Sequence, residues 1–260
     1  MCDTIYEFAE SPCEIVILSC GNPSVTASPC QLPLHEGAFE VFMGQCVKRI
    51  YLKGGLSVVR VDNYRIQAQQ AKARFLTYDQ QKLAEKMGME TDADHLYIPM
   101  LRQRYRICRA TGDMERQTAQ GWVDGNSHGE VMTLLDLLCD SREDRFLSGW
   151  WKNMTSFGLM FHQNLLEDQR DVWAERFQND QAGFRRACGA LGGEPFPNGD
   201  IAYAIELFDG LKIVAQLWLG DEEFPPNLRF LWDENALQYI RYETMYFARG
   251  LLLQRLEENM

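Results

Sequence analysis

Histidine and paired cysteines are scarce in this sequence of 260 residues, and their spacing excludes the common metal-binding motifs. The four histidines are more than thirty residues apart, so HExxH, HxH and Cys-His finger spacings are absent. None of the eight cysteines forms a CxxC pair, and five of them precede residue 47. We therefore predict no metal site and reduced thiols, with Cys108, Cys139 and Cys188 packed in the core as small apolar groups.

Nucleotide-binding motifs, long apolar runs and an excess of basic charge are also absent. The sequence has no GxxxxGK[ST], GxGxxG or GxSxG motif, which excludes P-loop, Rossmann and α/β-hydrolase chemistry. The net charge of -11 argues against a nucleic-acid partner, because phosphate contacts need a basic face. No apolar run approaches the roughly 18 residues of a membrane helix, and no basic, apolar leader opens the chain. We predict a cytoplasmic protein without a membrane partner.

The β-strand signals come in pairs that flank turn residues, as in antiparallel hairpins. Three segments have this pattern: "VKRIYL-KGG-LSVVRV" before Asp62, "RQRYRICRATGDMERQ" around a Thr-Gly-Asp turn, and "DIAYAIELF-DG-LKIVAQLWLG" around an Asp-Gly turn. A further strand, "LRFLW", follows the last hairpin.

Helical spacing separates these hairpins. We predict one helix over residues 62–88 and a second that begins after a Ser127 and Glu130 capping box. Residues 165–191 are predicted to form two short helices or one broken helix. A final helix is predicted from about Asp233 to Glu257. Because strands and helices do not alternate regularly, the expected fold class is α+β, an antiparallel sheet of hairpins packed by several helices including a long C-terminal helix. Residues 1–62 are predicted to be an N-terminal extension, and residues 63–260 a single domain.

Three arginines alternate in the second hairpin and form a candidate anion-binding face. Arg102, Arg104 and Arg106 would project to one side of a strand, where they could hold a carboxylate or a phosphate. The alternative is a solvated strand face whose charge is balanced by acids such as Glu115.

A second candidate is the stretch "LWLGDEEFPPNLRFLWDEN", residues 217–235, which combines five acids with four aromatic residues. Carboxylates beside aromatic rings have raised pKa values, which suits acid-base chemistry or a hard metal ion. The alternative is an acidic turn between two buried strands, with Asp233 as the cap of the final helix. The candidate ligand-binding residues are Asp200, Trp218, Asp221, Glu222, Trp232, Asp233, Tyr242 and Glu243.

The ordered motifs of the chain from about residue 63 onward resemble one family. They include "NYRIQAQQAKARFLTYDQQKL", "YRICRATGD", "ACGALGG", "GDIAYAIELF" and "LWLGDEEFPPNLRFLWDENALQYIRYET". These segments resemble domain-of-unknown-function family 3786, found largely in anaerobic bacteria and archaea. Some relatives resemble fusions to a four-cysteine iron-sulfur cassette, which implies a role near metallocofactors in anaerobic metabolism. The N-terminal cysteines lack that cassette's tight spacing, so we predict no iron-sulfur cluster.

Three hypotheses about function follow. The first is a small-ligand or metallocofactor-binding accessory protein with its pocket near residues 200, 218–224 and 232–243. The second is a carboxylate-dependent enzyme that uses Asp221 or Glu222, with or without a divalent metal. The third is a protein interaction module without small-molecule chemistry. The sequence identifies neither a ligand nor a cofactor.

Overall fold

A computed structural model describes residues 16–17, 45–52, 55–157 and 171–260, with side chains for 63–157 and 171–260. The chain divides into two compact units, Met1–Gln67 and Ala68–Met260. Among the described residues, no helix is long and apolar enough to cross a membrane.

The first unit contains a three-stranded antiparallel sheet. Its strands are β1 (Val16–Ile17), β2 (Gln45–Leu52) and β3 (Gly55–Asp62), in that spatial order. Leu52 pairs with Gly55, so the predicted hairpin before Asp62 is confirmed. The prediction of a separate extension over residues 1–62 stays a prediction, and part of that segment lies outside the described residues.

Six α-helices lie in the described part of the chain. They are α1 (Asn63–Phe75), α2 (Gln80–Met87), α3 (His128–Asp140), α4 (Val172–Asn179), α5 (Gln181–Ala190) and α6 (Tyr242–Glu258). The single helix predicted over 62–88 is wrong, because Asp79 begins a new helix by accepting the N–H groups of Gln81 and Lys82. Its predicted end at Gly88 is confirmed by a left-handed φ of 59°.

The first sheet of the second unit is a meander in which sequential strands are neighbours. Its strands are β4 (Glu90–Thr91), β5 (His95–Met100), β6 (Gln103–Cys108), β7 (Met114–Thr118) and β8 (Gly121–Asp124). All the pairings are antiparallel, and Ile107 pairs with Met114. The hairpin predicted around the Thr-Gly-Asp turn is therefore confirmed.

The second sheet has the order β10-β11-β12-β13-β9 and is also antiparallel. Its strands are β9 (Trp151–Asn153), β10 (Glu194–Pro195), β11 (Ile201–Phe208), β12 (Leu211–Trp218) and β13 (Asn227–Asp233). The Asp-Gly turn between β11 and β12 is confirmed, because Asp209 and Gly210 both have positive φ. The edge strand β9 lies in a segment for which the sequence predicted no element.

The final helix begins later than the sequence predicted. Asp233 ends β13, a short 3-10 helix follows at Ala236–Gln238, and α6 begins at Tyr242. Asp233 therefore does not cap α6. The N-cap residue of α6 is Arg241, whose side chain makes no capping hydrogen bond. Antiparallel sheets with packed helices, including the long α6, confirm the α+β fold class.

A buried ion pair joins α3 and α6 inside the core. The Arg255 Nη2 group lies 2.6 Å from Glu130 Oε1, and only 3% and 5% of the two side chains are exposed. Arg255 Nη2 also lies 3.0 Å from the Tyr105 hydroxyl on β6, and that hydroxyl donates to Glu130 at 3.0 Å. The other Glu130 oxygen accepts the Ser127 N–H, and the Ser127 hydroxyl oxygen accepts the Glu130 N–H, which confirms the predicted capping box.

We expect Arg255→Met to lower the free energy of unfolding by about 3 kcal/mol, because the buried Glu130 carboxylate would keep only its longer contact of 3.7 Å with Arg116. Arg176→Met is the matched control, since the Arg176 pair with Glu257 is about half exposed and contributes at most about 1 kcal/mol. Urea unfolding at neutral pH measures both variants. Equal decreases in the free energy of unfolding in the two variants would show that the buried Glu130–Arg255 pair contributes no more to stability than the exposed pair.

Candidate ligand-binding site

The residues of the acidic and aromatic stretch do not converge on one concavity. Trp232 is fully buried in the core on β13, whereas Trp218 is 40% exposed at the end of β12. Asp233 is buried, and Glu222 and Glu243 are exposed. The stretch therefore divides into a buried structural part and a solvated turn.

The Asp233 carboxylate fixes the loop that precedes β9. Its Oδ1 accepts the Ser148 N–H and hydroxyl at 3.1 Å and the Asn235 N–H at 2.9 Å. Its Oδ2 accepts the Gly149 N–H at 2.7 Å. Four donors occupy this buried carboxylate, so it stabilises the fold and has little capacity left for a ligand.

Asp200 and Asp221 also hold backbone groups. Asp200 Oδ2 accepts the Leu219 N–H at 2.8 Å, which closes the end of the β11–β12 pair. Asp221 Oδ1 accepts the N–H groups of Glu223 and Phe224, both at 2.8 Å, within a solvent-exposed turn. These hydrogen bonds lower the pKa of Asp221, the bond from Phe224 most strongly. The expectation of a raised pKa is therefore wrong for Asp221.

Tyr242 and Glu243 lie in the first turn of α6. The Tyr242 hydroxyl is 2.7 Å from the Tyr246 hydroxyl, and the two rings pack edge to face. Burial is the main cause that raises the pKa of Tyr246, and the Tyr242 contact adds to it. The pair therefore forms a packed tyrosine contact on one side of the helix.

Two of the three arginines of the candidate anion-binding face lie on the predicted strand. Arg104 and Arg106 lie on β6, with each guanidinium over an aromatic ring, at 4.6 Å for Tyr97 and 4.5 Å for Trp122. Arg104 also pairs with Glu90 at 2.5 Å, and Arg106 pairs with Glu115 at 2.7 Å. The balanced strand face that the sequence offered as the alternative describes these two residues. Arg102 is not on the strand, which is a correction.

Arg102 lies instead in the two-residue turn between β5 and β6. Leu101 and Arg102 have φ values of 49° and 59°. This left-handed conformation costs a non-glycine residue about 1 kcal/mol or more. Met100 pairs with Gln103 across this turn. Positive φ at both central positions matches the tight hairpin geometry that Asn-Gly sequences normally provide.

A hydrogen bond to the second sheet holds this turn. The register between β11 and β12 shifts between Glu206 and Phe208, so Leu207 has no paired residue on β12. The Leu207 carbonyl accepts the N–H of Leu101 at 2.9 Å. The irregularity in β11 thus supplies the bond that fixes the strained turn.

A pocket of about 540 Å³ opens beside this turn, within the size range of small-molecule sites. Its lining residues are Met87, Gly88, Met89, Glu90, Tyr97, Ile98, Pro99, Arg102, Gln103, Arg104, Glu206, Phe208 and Asp209. A shallower depression of about 450 Å³ lies at Gln178 and residues 220–226 and includes Asp221 and Glu222. The larger pocket is the better candidate site, because it joins apolar and charged groups.

Charge is balanced inside this pocket except at two residues. Glu90 pairs with Arg104, and Asp209 accepts two bonds from Arg145. Arg102 and Glu206 form no ion pair with any described residue. One oxygen of Glu206 accepts the Gly210 N–H at 2.9 Å.

Gly192 is a part of the site that the sequence did not reveal. A Cβ atom there would lie 2.7 Å from Arg102 Cδ and 2.9 Å from Arg102 Nη1, so the side chain of Arg102 runs directly across this glycine. The "GALGG" segment predicted only the end of a helix, and α5 does end at Ala190. No local signal connects Gly192 with a residue ninety positions earlier in the chain.

The thiols match the prediction in two cases of three. Cys139 and Cys188 are buried, and burial raises their pKa values to about 11 and about 12. Cys108 is only partly buried, and a hydrogen bond to Thr111 lowers its pKa, so its assignment to the packed core is wrong. Across residues 63–157 and 171–260, no group of three or more His, Cys, Asp or Glu side chains could hold a metal ion.

We expect Asp233→Asn to lower the free energy of unfolding by about 2 kcal/mol, because an amide NH₂ would replace one oxygen that faces backbone donors. Asp221→Asn is the matched control, since its remaining oxygen still accepts both turn N–H groups and the expected change is within about 0.5 kcal/mol. Urea unfolding separates the two cases. A loss at Asp221 as large as that at Asp233 would contradict the division of the stretch into a buried clamp and a solvated turn.

Comparison with known proteins gives one family match. No curated protein and no solved structure matches the chain. The model of the Domain of unknown function (DUF3786) family matches residues 79–255, about two thirds of the chain and a narrower range than the sequence motifs suggested. That range includes Arg102, Gly192, Glu206 and Asp233. The chain therefore belongs to the DUF3786 family.

Proposed function

We propose that this protein binds a small ligand carrying an anionic group, in the pocket beside the β5–β6 turn. The observation that supports this most directly is Arg102, the cation of that pocket without an ion pair to any described residue. A guanidinium presents paired N–H donors that match a carboxylate or phosphate. The other pocket arginine, Arg104, is already neutralised by Glu90.

The local backbone supports this assignment. Leu101 and Arg102, two consecutive non-glycine residues, adopt positive φ. The Arg102 side chain packs against Gly192, where a Cβ atom would clash with it. Strained backbone of this kind persists where surrounding contacts fix it and is concentrated at functional sites. Here the fixing contact is the bond from Leu101 to the Leu207 carbonyl. We interpret the arrangement as fixing the backbone from which the exposed Arg102 side chain extends to the pocket.

The proposal retains the small-ligand hypothesis but places it elsewhere in the chain. The sequence favoured a pocket near residues 200, 218–224 and 232–243, where the carboxylates hold backbone N–H groups instead. Metallocofactor binding, a carboxylate-dependent enzyme and a protein interaction module stay predictions. So do the cytoplasmic location, the link to anaerobic metabolism and the exclusion of nucleic-acid and membrane partners.

We expect benzoate to bind and benzamide, its neutral counterpart, to bind far more weakly. Arg102→Gln should weaken benzoate binding about tenfold, since one charge-assisted bidentate contact is lost. Chemical shifts of the ¹⁵N-labelled arginine Nε–H groups measure binding into the millimolar range. Arg229→Gln is the matched control, because Arg229 is exposed on β13 away from the pocket lining. Binding that is absent, or equally weakened by both variants, would overturn the proposal.

Gly192→Ala tests the path of the Arg102 side chain without changing any charge. The new Cβ would displace Arg102, so we expect weaker benzoate binding together with a loss of about 1 kcal/mol from the left-handed backbone. Gly149→Ala is the control, since Gly149 has a similar φ of 78° and no atom within 4 Å of its added Cβ. It should share the stability loss and keep benzoate affinity. Equal affinities in the two variants would argue against a positioning role for Gly192.

A further inference from the structure

Two opposite charges share the pocket without pairing with each other. Arg102 and Glu206 both line it, and neither forms an ion pair within the described residues. The remaining charges of the lining are paired, Glu90 with Arg104 and Asp209 with Arg145. The pocket therefore presents one available cation and one available anion.

The fold brings the backbone of these two residues close together. The hydrogen bond from the Leu101 N–H to the Leu207 carbonyl joins the residues directly adjacent to Arg102 and Glu206 in sequence. The Gly210 N–H fixes one Glu206 oxygen, and Gly192 fixes the course of Arg102. Both side chains are exposed, so each is open to a ligand that carries the opposite charge.

The rest of the lining is mainly apolar. Met87, Met89, Ile98, Pro99 and Phe208 form this part of the pocket. Methionine side chains adapt to irregular apolar groups, which suits an aliphatic or sulfur-containing side chain. A pocket of about 540 Å³ has room for an amino acid with such a side chain.

We propose that the ligand is a zwitterion with an apolar side chain, of the class of α-amino acids. Its carboxylate binds Arg102, its ammonium group binds the free oxygen of Glu206, and its side chain packs on Met87, Met89 and Phe208. This assignment rests on the proposed function, because it adds a second charged contact to the same anion-binding pocket.

The test compares three related probes by arginine and backbone chemical-shift titration of the whole chain. L-leucine carries both charges, N-acetyl-L-leucine keeps only the carboxylate, and L-leucinamide keeps only the ammonium group. We expect L-leucine to bind about tenfold more tightly than either of the other two, since each lacks one charge-assisted contact.

Variants then assign each contact to a residue. Glu206→Gln should remove the advantage of L-leucine over N-acetyl-L-leucine and leave the latter's affinity unchanged. Arg102→Gln should weaken both carboxylates. Glu222→Gln, which lies in the shallower depression, is the matched control and should change nothing.

The outcomes separate this inference from the proposed function. If N-acetyl-L-leucine binds as tightly as L-leucine and both depend on Arg102, the zwitterion assignment fails while anion binding stands. If L-leucinamide binds as tightly as L-leucine, or if neither carboxylate depends on Arg102, the proposed function fails and the zwitterion assignment fails with it.

Discussion

The buried ion pair between Glu130 and Arg255 is the interaction on which the second unit depends most. It joins α3 to α6, and the Tyr105 hydroxyl bonded to both side chains adds β6. An isolated charge in this position would cost several kcal/mol, so each of the three elements needs the other two in place. Tyr105 lies three residues from Arg102 along the same hairpin. The contact that fixes the core therefore also fixes the strand from which the candidate site extends.

The number of hydrogen bonds that a carboxylate accepts from the protein distinguishes acids that stabilise the fold from acids that can bind a ligand. Asp233 accepts four hydrogen bonds and Asp221 accepts two, all from groups of the fold itself. Glu206 accepts one, from Gly210, and lines the larger pocket. An acid-rich segment therefore does not by itself provide free carboxylates, because backbone donors can already occupy their oxygens. Glu206, which no motif distinguishes, is an acid with capacity for a ligand in the larger pocket.

Much of the fold could be predicted because its signals are local. The Asp209-Gly210 turn and the Ser127 capping box each need only a few adjacent residues, and both are confirmed. The turn at Leu101 and Arg102 could not be predicted, since neither residue favours positive φ and only the distant Leu207 carbonyl stabilises it. For the same reason the alternating arginines predict Arg102 on a strand, whereas it lies in the turn. Elements fixed by local chemistry are readable from sequence, whereas the candidate site is built from contacts between distant segments.

The charges of the pocket are best understood as a consequence of sheet geometry. The hydrogen bond from the Leu101 N–H to the Leu207 carbonyl brings the backbone at Arg102 close to the backbone at Glu206. Both side chains are exposed, and they form no ion pair with each other. Both residues lie within residues 79–255, the segment that matches the family. A ligand with complementary charges would therefore pair with two groups that are already positioned on one pocket and make no ion pair with each other.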